Sequence, residues 1–170
     1  MNKNGFTLIE ILVTISIMVL LLATALPSFK TYSAINDLDR NVELISSAIT
    51  ETQTLAMAPP TDKVKDYDGY KIMFDQTGYQ IYSGIITKNS TGDVFDLDSS
   101  NQVLYKSEKI SLTNKINVSG SPYIIYSVVG QGKIIYPKTN VVLPIQNQSI
   151  IKNNIKTISI NVFTGQVEVK

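Results

Sequence analysis

The chain has 170 residues, room for one domain and an appendage, with 44% hydrophobic and 17% charged residues and a net charge of +1. Such a balance disfavours a broad basic face for nucleic acid, because phosphate neutralisation needs clustered Lys and Arg, and Arg40 is the only Arg. There is no Cys and no His, which removes disulfides, thiolate zinc sites and the usual proton-transfer and metal-ligating imidazole, and argues against an enzyme.

The average conceals an asymmetry. Residues 6–26 form a 21-residue run whose only ionisable side chain is Glu10. As a helix, a run this long crosses a bilayer core of about 30 Å. Three kinds of segment share that description. A secretory signal peptide would use Lys3 as its basic region and Ala23-Thr24-Ala25 as a small-x-small cleavage site. A plain signal anchor would use Lys3 to hold the N-terminus in the cytoplasm. Neither accounts for Glu10, since a carboxylate in hydrocarbon is expensive and usually marks function.

Gly5-Phe6-Thr7-Leu8-Ile9-Glu10 resembles the prepilin peptidase recognition motif of type IV pilins and the pseudopilins of type II secretion. The resemblance implies a leader at residues 1–5, cleavage between Gly5 and Phe6, N-methylation of Phe6, and Glu10 as the acid used in assembly. It also implies a helix-kinking role for Pro27. The physics of the motif supports a pairing. Gly5 gives a protease close access to the backbone. Cleavage would expose a cationic amine at Phe6, and Glu10 lies one helical turn along on the same face. In a dry bundle the two charges neutralise each other, in one subunit or between neighbours, and the family implies the neighbour. A misregistered subunit would leave the acid unpaired.

From residue 27 to residue 58 an apolar stripe replaces the all-round apolar run. Phe29, Tyr32, Ile35, Leu38, Val42, Ile45, Ile49, Thr52 and Leu55 follow at spacings of three or four, the period of a helix burying one face. Asp37, Asp39, Arg40, Asn41, Glu43 and Glu51 suit the solvent side. Pro59-Pro60 stops the helix, which should run over residues 6–58 for about 80 Å, kinked or locally melted at Pro27. The stripe is expected to be the core against a β-sheet.

Residues 59–170 read as a β-rich domain. Tyr70 to Phe74 and Tyr79 to Tyr82 flank the turn Asp75-Gln76-Thr77-Gly78. Residues 87–101 are polar and lightly acidic, and read as a loop. Further strands are expected over residues 103–105, 116–118, 123–129 and 133–136. The last hairpin is residues 157–163, the Thr164-Gly165 turn and residues 166–169, with Ile158, Ile160 and Val162 on one face. The fold class expected is α+β, a long helix whose first half spans the membrane and whose second half packs on an antiparallel sheet. That arrangement is similar to the pilin fold, and the terminal strand-Thr-Gly-strand run is similar to that of H-type minor pseudopilins.

Other clusters have plainer explanations. Asp62, Asp66 and Asp68 with Lys63 and Lys65, and the group Asp93, Asp96, Asp98, carry oxygen ligands suited to calcium, but lack the EF-hand pattern and read as solvated loops. Asn89-Ser90-Thr91, Asn117-Val118-Ser119 and Asn147-Gln148-Ser149 match a glycosylation pattern frequent by chance here. Tyr67, Tyr70, Tyr79, Tyr82, Tyr123, Tyr126 and Tyr136 read as sheet residues, because a stacking surface for single-stranded DNA would need a basic stripe.

The function expected is a structural filament subunit, with no catalytic residue, metal or cofactor. The alternative is a monomeric, membrane-anchored, extracytoplasmic binding domain. The resemblance implies several partners: other copies and other pilin subunits, a prepilin peptidase with methyltransferase activity, the inner-membrane assembly machinery and its ATPase, and lipid before assembly. Nucleic acid would join them only in a competence pilus. The expected location is the cytoplasmic membrane, single-pass with a cytoplasmic N-terminus, and then an extracellular or periplasmic filament.

Overall fold

In the computed structural model, the residues described are 6–60, 67–88, 94–110, 114–116, 123–129, 132–147 and 155–170. One helix, α1, runs over Leu8–Met57, 50 residues and hence about 75 Å long. Thr7 caps its start, and at its end the Ala58 N–H donates to the Thr54 carbonyl at 2.9 Å, just before Pro59-Pro60. The expected helix is therefore present, two residues shorter at its start and one at its end. It continues through Pro27 as a single element, without the local melting anticipated there.

Among the described residues eleven strands follow, all pairing antiparallel. They are β1 (Gly69–Asp75), β2 (Gly78–Gly84), β3 (Ile86–Lys88), β4 (Val94–Leu97), β5 (Val103–Lys109), β6 (Asn114–Ile116), β7 (Tyr123–Ser127), β8 (Lys133–Tyr136), β9 (Val141–Asn147), β10 (Ile155–Ile160) and β11 (Val167–Val169). Instead of one sheet there are three, ordered β5-β2-β1-β7-β8, β11-β10-β9-β6 and β3-β4. The fold is α+β, as the sequence indicates. The helix packs against β1 and β7 of the first sheet and against β6, β9, β10 and β11 of the second.

Strand alternation sets what the helix meets. Tyr70 opposes Tyr126 and Ile72 opposes Ile124, and all four are buried. In the second sheet Ile158 opposes Leu143, with Ile145 and Ile160 also buried. From the helix come Leu38, Val42, Ile45, Ala48, Ile49 and Ala56. Thr52, fully buried among them, donates its hydroxyl to the Ala48 carbonyl at 2.7 Å and so leaves no unmet donor.

The expected stripe is buried only in part. Phe29 is 72% exposed, Tyr32 65% and Ile35 37%, so the core begins at Leu38. Among the described residues, the end of β9 meets the helix at Ala34, whose carbonyl accepts a bond from Asn147 Nδ2. Below that level no described residue packs on the stripe. Asn41, expected in solvent, is buried, since it sits between Leu38 and Ile45 on the covered side.

The expected β1–β2 hairpin is present. The expected loop at 87–101 instead contains β4 and the end of β3, which pair as a small hairpin over β1. A Cβ on Gly69 would lie 2.7 Å from Ile86 Cγ1, so glycine is what lets that hairpin approach. Strand β9 was not foreseen, since Pro144 interrupts its pattern. It alternates all the same, with Val141, Leu143, Ile145 and Asn147 buried. At the C-terminus the first strand ends at Ile160, and Asn161 Oδ1 accepts from the N–H groups of Phe163 and Thr164 to start the turn.

Candidate functional site

The acid singled out by the sequence stands in the first turn of α1. Glu10 Oε2 accepts from the Thr7 backbone N–H at 2.8 Å and from the Thr7 hydroxyl at 2.9 Å. In return Thr7 Oγ1 accepts from the Glu10 backbone N–H at 3.3 Å. This reciprocal capping box satisfies two of the donors that a helix start leaves open. It also places the carboxylate next to the positive end of the helix dipole. The carboxylate thus folds back to the residue that follows Phe6. Thr7 was not singled out from the sequence, although Thr7-x-x-Glu10 ahead of an apolar run is the signature of such a cap.

Among the described residues nothing covers this end. Phe6 is 85% exposed and Leu8 81%, and exposure continues through Leu20, Leu21 and Leu22 at 58% or more. The helix is long and apolar enough there to cross a membrane, with none of that window buried in the chain. Gly5, the expected cleavage residue, and Lys3 lie outside the described residues. Pro27 falls inside α1, 17 residues beyond Glu10.

The remaining candidates among the described residues are occupied in holding the fold. Asp96 accepts from the buried Lys71 ammonium at 2.6 Å, and Lys71 also lies over the rings of Tyr82 and Tyr123 at 5.5 and 5.4 Å. Together they tie the β3–β4 hairpin to the first sheet. Asp68 Oδ1 accepts from the Ile86 N–H at 2.6 Å. Asp98 accepts from the Ser100 hydroxyl and N–H and from Asn101, and these bonds, that of the Ser100 hydroxyl foremost, hold its carboxyl below the usual range. Asp62, Lys63, Lys65, Asp66 and Asp93 lie outside the described residues, and among those described no group of three or more acidic side chains gathers as a cation site.

Of the tyrosines, Tyr70, Tyr79 and Tyr126 are buried, and Tyr123 stacks on Tyr136 with centroids 4.9 Å apart. They are sheet residues. Asn147 is buried with its amide donating to Ala34, which leaves no room for a glycan in the folded chain. Asn89 and Asn117, with the rest of their acceptor patterns, lie outside the described residues.

No curated protein and no solved structure matches the chain. Its first 26 residues match a family model described as the prokaryotic N-terminal methylation motif. Residues 1–26 thus carry the prepilin-type cleavage motif of type IV pilins and pseudopilins, at the head of a long helix and antiparallel sheets arranged in a pilin-like α+β fold.

Proposed function

We propose that the chain is a structural subunit of a type IV pilus-like or type II secretion pseudopilus filament. A prepilin peptidase cuts it after Gly5, the new Phe6 amine is methylated, and the subunit assembles through α1. The observation that carries this is the continuity of the methylation motif with a helix whose first half has no packing partner among the described residues. Unpartnered apolar surface of that extent is stable only in lipid or against other subunits. Both environments occur in turn if the chain is first anchored in the cytoplasmic membrane, N-terminus inside, and then drawn into a filament. Pro27, midway between the acid and the covered core, is a place for the helix to bend in that transfer.

Glu10 has the sharpest role. Its partner in the filament is the Phe6 amine of a neighbouring subunit, a charge that exists only after cleavage. Mass spectrometry of the mature protein should find methylated Phe6 as the first residue. An N-terminus at Leu26, following a cut after Ala23-Thr24-Ala25, or an intact Met1, would refute the processing step. Replacing Glu10 by Ala should leave insertion and processing intact and abolish assembly. Normal incorporation of that variant would refute the pairing.

A further inference from the structure

At the C-terminal end of α1, two turns close with the helix around a cavity of about 170 Å³. One turn leads into β8 at Lys133, and the other follows β10. Ile134 and Val162 line the cavity as buried apolar residues, whereas Lys133, Phe163 and Thr164 line it as exposed ones. Phe163 is the most open of these at 85% exposure. From α1 comes Gln53, half-buried one turn before the helix ends at Met57. A Cβ on Gly165 would lie 2.5 Å from Gln53 Nε2, so glycine in the second turn leaves the amide its place.

The backbone of that turn is already bonded. The N–H groups of Phe163 and Thr164 donate to Asn161 Oδ1, and that of Gly165 donates to the Asn161 carbonyl at 2.8 Å. The side chains around the cavity are not. Thr52 and Thr54, on either side of Gln53, both bond back to the helix, but the Gln53 amide has no hydrogen-bond partner among the described residues. Lys133 forms no ion pair there either, and no carboxylate lines the cavity. An amide with two donors and an acceptor, half-buried beside a free ammonium, is a polar set without its complement.

We infer that this cavity binds a single acidic sugar unit of the uronic-acid class. The Lys133 ammonium, with no lining carboxylate to oppose it, selects an anion, and the Gln53 amide donates to the same carboxylate or to a ring hydroxyl. The exposed Phe163 ring offers a flat apolar surface for the C–H face of a pyranose, whose hydroxyls stay wet. A bare carboxylate would leave that ring and the apolar lining unused. The cavity is well below the ~300 Å³ at which drug-sized sites begin, so it takes one ring and not a longer chain. All the groups involved belong to one chain, and the site therefore stands apart from the filament role.

Equilibrium dialysis of D-glucuronate against the full chain in detergent micelles tests the site. Binding should saturate at one per chain with a Kd on the order of 1 mM, as expected of about a dozen non-hydrogen atoms at modest efficiency. Glucose, which lacks the carboxylate, and acetate, which lacks the ring, should each bind at least about tenfold more weakly. Gln53→Ala and Lys133→Ala should each weaken glucuronate about tenfold, and Phe163→Ala about fivefold, with urea midpoints near the parent's. Absence of saturable glucuronate binding overturns the site. Acetate bound as tightly as glucuronate reduces it to an anion contact and overturns the sugar assignment. Parental affinity in all three variants puts the binding elsewhere and overturns it as well.

Discussion

Two substitutions on one helix separate what holds the domain from what awaits a partner. Ile45 is fully buried between α1 and the sheets, whereas Phe29, 16 residues earlier on the same helix, is 72% exposed. Truncating a buried Ile to Ala removes its transfer free energy and leaves a cavity, together about 3 kcal/mol within a usual range of 2–5. With a urea slope of about 2 kcal/mol/M, Ile45→Ala should lower the unfolding midpoint by about 1.5 M. Phe29→Ala touches no core and should stay within about 0.5 kcal/mol of the parent, about 0.25 M. The chain has nine Tyr and no Trp, so tyrosine fluorescence of the full chain in detergent micelles follows the sheets.

Assembly should rank the two differently. Phe29→Ala should fold like the parent and yet enter filaments poorly, because it trims exposed surface that another subunit would cover in the proposed filament. A midpoint for Ile45→Ala equal to the parent's would refute the packing of α1 on the sheets. A midpoint for Phe29→Ala lowered by 1 M or more would refute the division of the helix into a covered and an uncovered half.

Gly132 has φ +77°, and a Cβ there would lie 2.4 Å from Met57 Cγ and 3.0 Å from the Gln53 carbonyl oxygen. Gly132→Ala should therefore destabilise by about 2 kcal/mol, with the left-handed backbone contributing about 1–2. Adding Met57→Ala should restore part of the loss in the same urea titration. Tyr79 is pushed up to about 12 by burial and then by its hydrogen bond to Glu108, and Tyr123 is also pushed up to about 12, by burial and then by its hydrogen bond with Tyr136. A raised phenol stabilises the fold fully below the unfolded value near 10, and that contribution is lost as pH rises through about 12. The urea midpoint should fall across that window as tyrosinate absorbance grows. Tyr79→Phe should flatten the fall.

Helix α1 was legible almost to its ends because its signals are local: an apolar run, a 3.6-residue stripe, and Pro59-Pro60. How far up the stripe the sheets begin was not. Periodicity marks which side chains can be buried together, whereas the level of cover depends on where Asn147 of β9 meets Ala34. Strand β9 was hidden by Pro144, which is tolerated opposite Thr157 of β10. The described β6 register stops at Ile145, one residue short of it. The β3–β4 hairpin was hidden for a different reason. Its cover comes from the Lys71–Asp96 pair and the close approach at Gly69, both of them tertiary contacts. At the site, Glu10 stood out by its charge, whereas Thr7 blended into the run despite carrying the other half of the capping box.

That capping box changes what Glu10 does before assembly. The sequence alone suggests a carboxylate left bare in lipid until a neighbour's amine arrives. In the folded chain it already accepts two bonds from Thr7, so its unpaired cost is partly offset within the subunit. On the proposed pairing, assembly would exchange neutral donors for a cationic one, with the difference between the two as the driving force. Ala and Gln separate these contributions, since Ala removes both the cap and the charge, while the Gln carbonyl oxygen can still accept from Thr7 but offers no charge to an amine. If the cap alone positioned the subunit, Glu10→Gln would assemble as the parent does. If the charge exchange drives incorporation, Glu10→Gln should insert and be processed normally, and fail to enter filaments as completely as Glu10→Ala. Quantifying methylated Phe6 against sheared filament in both variants decides between them, and full incorporation of the Gln variant would refute charge pairing while leaving the cap intact.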